Sequence, residues 1–177
     1  MSALLVGAVF TLLLVIGAFF DRGQFFHAYL VGFVFWTGIT LGSLALLMLQ
    51  HLTGGAWGLV IRRVLEASTQ TLPLMLILFV PIIFGLKQIY PWTNETFMHE
   101  TAALQQKARF LNPSFFILRG VLYFALWSLL AVLLNWLSLE QDRTGQKRIR
   151  KRLQMVSGPG LALLIISITF ASIDWVM

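Results

Sequence analysis

Two sets of side chains in this chain could move a proton. His51, Arg62, Arg63 and Glu66 crowd into the polar island Gln50–Pro73, which is set between two strongly apolar runs. Asp21, His27 and Asp174 stand at the ends of other apolar runs. Imidazole exchanges its proton near neutral pH and a carboxylate at lower pH, and a guanidinium beside a carboxylate holds it ionised. An ionisable group inside an apolar span is costly, and where one occurs it marks an ion or proton route or a ligand site. Each residue also has a plainer reading. Asp174 is then a carboxylate that has reached the water interface, and His51 an interfacial imidazole beside the turn of Gly54, Gly55 and Gly58. Arg62 and Arg63 are then headgroup anchors, with a second role in pairing Glu66 or steering a quinone head, His27 is a helix-end residue and His99 a solvated one.

Other chemistries lack their residues. With no cysteine there is no disulfide, thiolate-bound zinc or iron–sulfur ligation on this chain. His27 and His51 fall 24 residues apart on one apolar run, about 36 Å along a helix, so they cannot pair across a haem. The Gly-rich turn lacks the preceding strand and the Lys-Ser/Thr of a phosphate loop, and neither a zinc motif nor a Ser-His-Asp arrangement occurs. No catalytic residue and no metal ligand is assigned.

The elements that must position these residues are membrane helices. At 58% hydrophobic and 11% charged residues, with a mean hydropathy of +0.83, too little polar surface exists to cover a soluble globule of 177 residues. The net charge of +6 would point to nucleic acid in a soluble protein. Here the cations sit in the connections between apolar runs, where they report topology and anionic headgroups, so no nucleic-acid partner is expected. Five spans are long enough for a bilayer core of about 30 Å: residues 3–20, 25–49, 71–87, 114–139 and 158–177. The first has neither a basic residue before it nor a small-residue cleavage site after it, so it is read as an uncleaved span rather than a signal peptide. The fold class is all-α, a polytopic transmembrane bundle in one membrane domain over residues 1–177.

Local signals refine this picture. Gly38 and Gly42 form a small face on the second span, a weak sign of close helix packing. Pro73 falls in the first turn of the third span, whereas Pro81 falls inside it and frees a carbonyl that must face protein or water. Asn112 caps the fourth span, and Ser157-Gly158-Pro159 reads as the start of the fifth, with Ser157 as its cap. Over residues 56–68, Trp57, Val60, Ile61, Val64 and Leu65 recur at helical spacing, with Arg62, Arg63 and Glu66 on the other faces. That pattern predicts a short helix in the membrane surface, with Trp57 and Arg63 against headgroups. A second surface helix is expected over 95–110. Counting cations puts eight on the side of the N-terminus and five on the other, which places the N-terminus in the cytoplasm. His51, Arg62, Arg63 and Glu66 then lie near the inner face, with Asp21, His27 and Asp174 near the outer.

Several strings carry a resemblance: HAYLVGF from His27, HLTGGAWG from His51 followed by Arg62-Arg63 and Glu66, IYPW ending at Trp92, and FASIDWVM from Phe170. Over His27–Trp92 and Phe170–Met177 the chain resembles the amino-terminal half of the ActF-type subunits of bacterial alternative complex III, relatives of the NrfD/PsrC-type quinone-interacting membrane subunits. Such subunits have a first helix and two four-helix bundles, so this chain would supply the first helix and one bundle. The resemblance implies a quinol:cytochrome c oxidoreductase in the bacterial inner membrane. Iron–sulfur and multihaem cytochrome c subunits and a second NrfD-like subunit, which holds the quinol-oxidising site, would be its partners. This subunit would bind no cofactor itself, apart from a quinol whose head Trp57 and Arg63 could meet. Its implied role is support and proton translocation. Asp174 and His27 would form the outer mouth of the path and His51, Arg62 and Glu66 the inner mouth, with Thr37, Thr40, Ser43 and Ser167 holding water. The alternatives are half of a secondary transporter, which an internal inverted repeat would mark, and a purely structural scaffold.

Overall fold

A computed structural model of the chain describes residues 21–54, 58, 60–93 and 112–176, together with Leu5 and Gly17. The expected first span over 3–20 and surface helix over 95–110 lie outside the described residues. Among those residues the protein is all-α. Its helices are α1 (Arg22–Thr53), α2 (Arg62–Thr69), α3 (Leu72–Phe84), α4 (Leu86–Ile89), a 3-10 turn at Pro91–Thr93, α5 (Pro113–Thr144) and α6 (Lys147–Val176). Four stretches are long and apolar enough to cross a membrane: Arg22–Thr53, Arg62–Phe84, Pro113–Thr144 and Lys147–Val176. The chain is a multi-pass membrane protein.

Helix ends follow local chemistry. Asn112 Oδ1 accepts from the Ser114 amide at 3.0 Å, the expected cap of α5. Gly54 (φ +68°) and Gly145 (φ +63°) take the left-handed conformation that closes α1 and α5. Their amides return to Gln50 O and Gln141 O, each at 2.8 Å. The expected start of the fifth span at Ser157 is corrected: α6 begins at Lys147, so Ser157 and Pro159 lie in its interior. Lysine, arginine and glutamine are good helix formers, and nothing in residues 147–156 interrupts the helix before it enters the apolar segment. α5 likewise runs five residues past the expected end at 139.

The chain divides into two compact units, Met1–Phe35 with Leu78–Phe115, and Trp36–Ile77 with Phe116–Met177. In the first, the Phe33 and Phe79 rings lie 5.8 Å apart, and Gly85 meets the ring of Phe26 where a Cβ would overlap it. Tyr29 Oη donates to Leu78 O at 2.8 Å, on the turn that Pro81 loosens. In the second unit the core is Leu44, Leu47, Met48, Phe124, Trp127, Leu134, Leu153 and Leu164, all buried. Gly38 and Gly42 are exposed, and a Cβ at either would meet nothing, so this small face packs no helix among the described residues.

Candidate functional site

Two largely buried ionic clusters lie in the second unit, with a row of mostly polar side chains on α5 between them. The first cluster is built where α2 meets α5. Arg62 Nε donates to Glu66 Oε1 at 2.9 Å and Arg63 Nη1 to Glu66 Oε2 at 2.7 Å. Ser138 Oγ accepts from Arg62 Nη2 and donates to Glu66 Oε1. Asp142 completes the set, 3.4 Å from Arg62 Nη2 and hydrogen-bonded by Arg63 Nη2. Two cations and two carboxylates therefore neutralise one another, with the Glu66 and Arg62 side chains only 6% and 11% exposed.

The charged face expected over residues 56–68 turns toward protein at Arg62 and Glu66, while Arg63 stays exposed. Glu66 and Arg62 turn inward, while Val60 and Val64 face outward. The reason is the solvent: hydrocarbon accepts valine and rejects charge, so the polar groups of α2 find their partners in protein. Arg62 and Arg63 act as ion-pair partners of Glu66 and Asp142. Trp57 lies outside the described residues.

The second cluster joins the start of α5 to the end of α6. Arg119 Nε donates to Asp174 Oδ2 at 2.8 Å, and Tyr123 Oη donates to the same oxygen at 2.9 Å. Phe124 and Trp127 lie 5.9 Å from the Trp175 ring and Tyr123 6.5 Å from it, an aromatic wall beside the carboxylate. Asp174 is thus paired in the protein and not exposed at an interface.

Between the clusters, Trp127 Nε1 donates to Ser167 Oγ at 2.9 Å, and Asn135 Nδ2 to Thr69 Oγ1 at 3.0 Å. Arg119, Tyr123, Trp127, Ala131, Asn135, Ser138 and Asp142 recur every three or four residues on one face of α5. From Arg119 to Asp142 this ladder covers about 35 Å, somewhat more than the ~30 Å of a bilayer core. Ala131 alone in it lacks a polar side chain. The sequence reading missed Arg119, Tyr123, Asn135 and Ser138 as site residues. Their spacing at i, i+4 and i+3 was the available signal.

The remaining expected residues divide. His51 is buried, with Nδ1 3.4 Å from Ser157 Oγ and, among the described residues, no partner for Nε2. Gln50 Oε1 and Asn135 Oδ1 are also buried without partners. His27 belongs to the first unit, where its exposed ring meets Gly23 O at 2.8 Å on its own helix. Thr40 Oγ1 pairs with Thr71 Oγ1 at 3.1 Å, Ser43 Oγ donates to Ile39 O, and Thr37 Oγ1 is buried without a partner. No group of three His, Asp or Glu able to hold a metal occurs among the described residues. No family model matches the chain, and no curated protein matches it.

Proposed function

We propose that this chain is a membrane-integral, non-catalytic subunit of a quinol:electron-acceptor oxidoreductase of the alternative complex III type, and that its second unit carries protons along the α5 ladder. The observation that carries the proton reading is the ladder itself, a row of hydrogen-bonding side chains through an apolar bundle with a buried carboxylate toward each end. Respiratory membership rests on the HLTGGAWG, Arg62-Arg63, Glu66 and FASIDWVM strings. In this reading the iron–sulfur clusters and haem belong to partner subunits.

The ladder divides the labour by chemistry. Carboxylates, Tyr123 and Ser138 can both accept and donate protons, while the Trp127 indole only donates and Ala131 does neither. Relay between Tyr123 and Ser138 therefore requires ordered water, which Asn135 Oδ1, without a partner among the described residues, can hold. Arg62 and Arg63 pair with Glu66 and Arg119 with Asp174, so a relay through either carboxylate requires its ion pair to loosen.

The test is proton movement by the purified complex in liposomes, driven by a short-chain quinol and a soluble cytochrome acceptor. Glu66→Gln and the paired Arg119→Gln/Asp174→Asn should preserve subunit stoichiometry and lower the protons moved per electron. Full coupling in both variants would sink the proton path and leave the scaffold reading, which the same ion pairs serve equally well. A chain that purifies without haem or iron–sulfur partners would sink the respiratory reading and favour the transporter-half alternative.

A further inference from the structure

The first six residues of α6 include Lys147, Arg148, Arg150, Lys151 and Arg152, all exposed, and Arg143 lies just before the turn at Gly145. None of these cations forms an ion pair among the described residues, and the neighbouring Asp142 is taken by Arg62 and Arg63. The arrangement carries two costs. Like charges repel at helical spacing, and the partial positive charge of a helix N-terminus disfavours cations in the first turn. An anion from outside the chain relieves both.

The rotation of α6 shows which cations face outward and what lies beside them. Ile149 and Leu153 are buried, at 3% and 1% exposure. At 3.6 residues per turn this puts Lys151 opposite them, with Arg148 and Arg152 beside it on one exposed side of the helix. The same face continues as Met155, Leu163 and Ile166, all exposed apolar residues within the membrane segment. One stripe of α6 is therefore apolar along the bilayer and basic at its end. That sequence of surfaces matches one molecule: a lipid with acyl chains and an anionic headgroup. An acidic protein would answer the cations and leave the apolar stripe unused.

We propose that Arg148, Lys151 and Arg152 bind the phosphodiester headgroup of an anionic phospholipid whose acyl chains lie along Met155, Leu163 and Ile166. The helix holds the Cβ atoms of Lys151 and Arg152 each about 5–6 Å from that of Arg148, a spacing that a flexible loop does not maintain. The proposal is independent of the redox reading.

The experiment is native mass spectrometry of the full chain released from micelles holding equal phosphatidylglycerol and phosphatidylcholine, with and without millimolar inorganic phosphate. The wild type should retain phosphatidylglycerol in preference by on the order of 10- to 100-fold, and inorganic phosphate should not displace it. The R148Q/K151Q/R152Q variant should lose the preference, with its helical circular dichroism unchanged because the three positions are exposed. Met155→Asp, which changes the stripe and leaves the cations, should weaken retention of either lipid. Equal retention of the two lipids by the wild type would overturn the proposal. So would an undiminished preference in the triple variant, complete displacement by inorganic phosphate, or an acidic protein held on these residues without lipid preference.

Discussion

Arg119 Nε donates to Asp174 Oδ2 at 2.8 Å across 55 residues of chain, with the two side chains 11% and 4% exposed. This ion pair ties the first turns of α5 to the last turns of α6. Breaking a buried pair by removing one partner leaves the other charge stranded, at a cost of about 3–5 kcal/mol, whereas replacing both can be neutral. Asp174→Leu and Arg119→Met should each destabilise the protein by about that amount, and the double variant should recover most of it. Unfolding in mixed micelles with increasing SDS measures all three. Strict additivity of the two single effects would contradict an energetic link.

The adjacent arginines of α2 should behave differently. Arg62 is 11% exposed and bonds to Glu66 and both oxygens of Ser138. Arg63 bonds to Glu66 and Asp142 but is 57% exposed. Arg62→Ala should cost about 3 kcal/mol or more and Arg63→Ala no more than about 1 kcal/mol. The same SDS titration decides the order, and equal costs would show that solvent screening does not separate them.

Ser138 is the hydroxyl that both Arg62 and Glu66 use. Ser138→Ala keeps the ion pair and removes the bridge, so it should cost about 1–3 kcal/mol. Ser138→Leu places an apolar branch where the site needs a polar atom, and its loss of stability should be larger. A Leu variant as stable as the Ala variant would place the hydroxyl outside the cluster.

Gly160 marks a close approach in the second unit, since a Cβ there would sit 3.3 Å from Leu130 Cδ2 and from Met48 Cε. Flexible Met48 can yield to one methyl, so Gly160→Ala should be tolerated. Gly160→Leu should overpack and cost about 1–3 kcal/mol. Thermal unfolding in detergent distinguishes them, and matching midpoints would refute the close contact.

Much of the architecture was legible from composition and run length. The expected spans 25–49 and 114–139 fall within apolar stretches long enough to span, and the expected 71–87 overlaps a third that runs from Arg62 to Phe84; Asn112 and the Gly54 turn marked ends that the structure keeps. The boundary at Ser157 was misplaced because a cap signal was read without weighing the helix-forming residues before it. Glu66 and Asp174 were recognisable as costly residues, and Arg62 and Arg63 as possible partners of Glu66, but the partners from distant helices were not. Arg119 lies 55 positions from Asp174, and Ser138 lies 72 from Glu66.

The sequence by itself determined that this chain resides in hydrocarbon, because side chains this apolar cannot be covered in water and runs of this length close their backbone hydrogen bonds only as helices. Tertiary structure alone decided how each helix is rotated. In water, apolar periodicity reveals a helix's buried face, because the other face must be polar. In a bilayer both faces are apolar, so α5 carries Leu122 and Leu129 toward lipid as readily as Phe124 and Leu134 toward the core. The direction of Arg119, Asn135 and Ser138 became readable only when Asp174, Thr69 and Glu66 were placed opposite them.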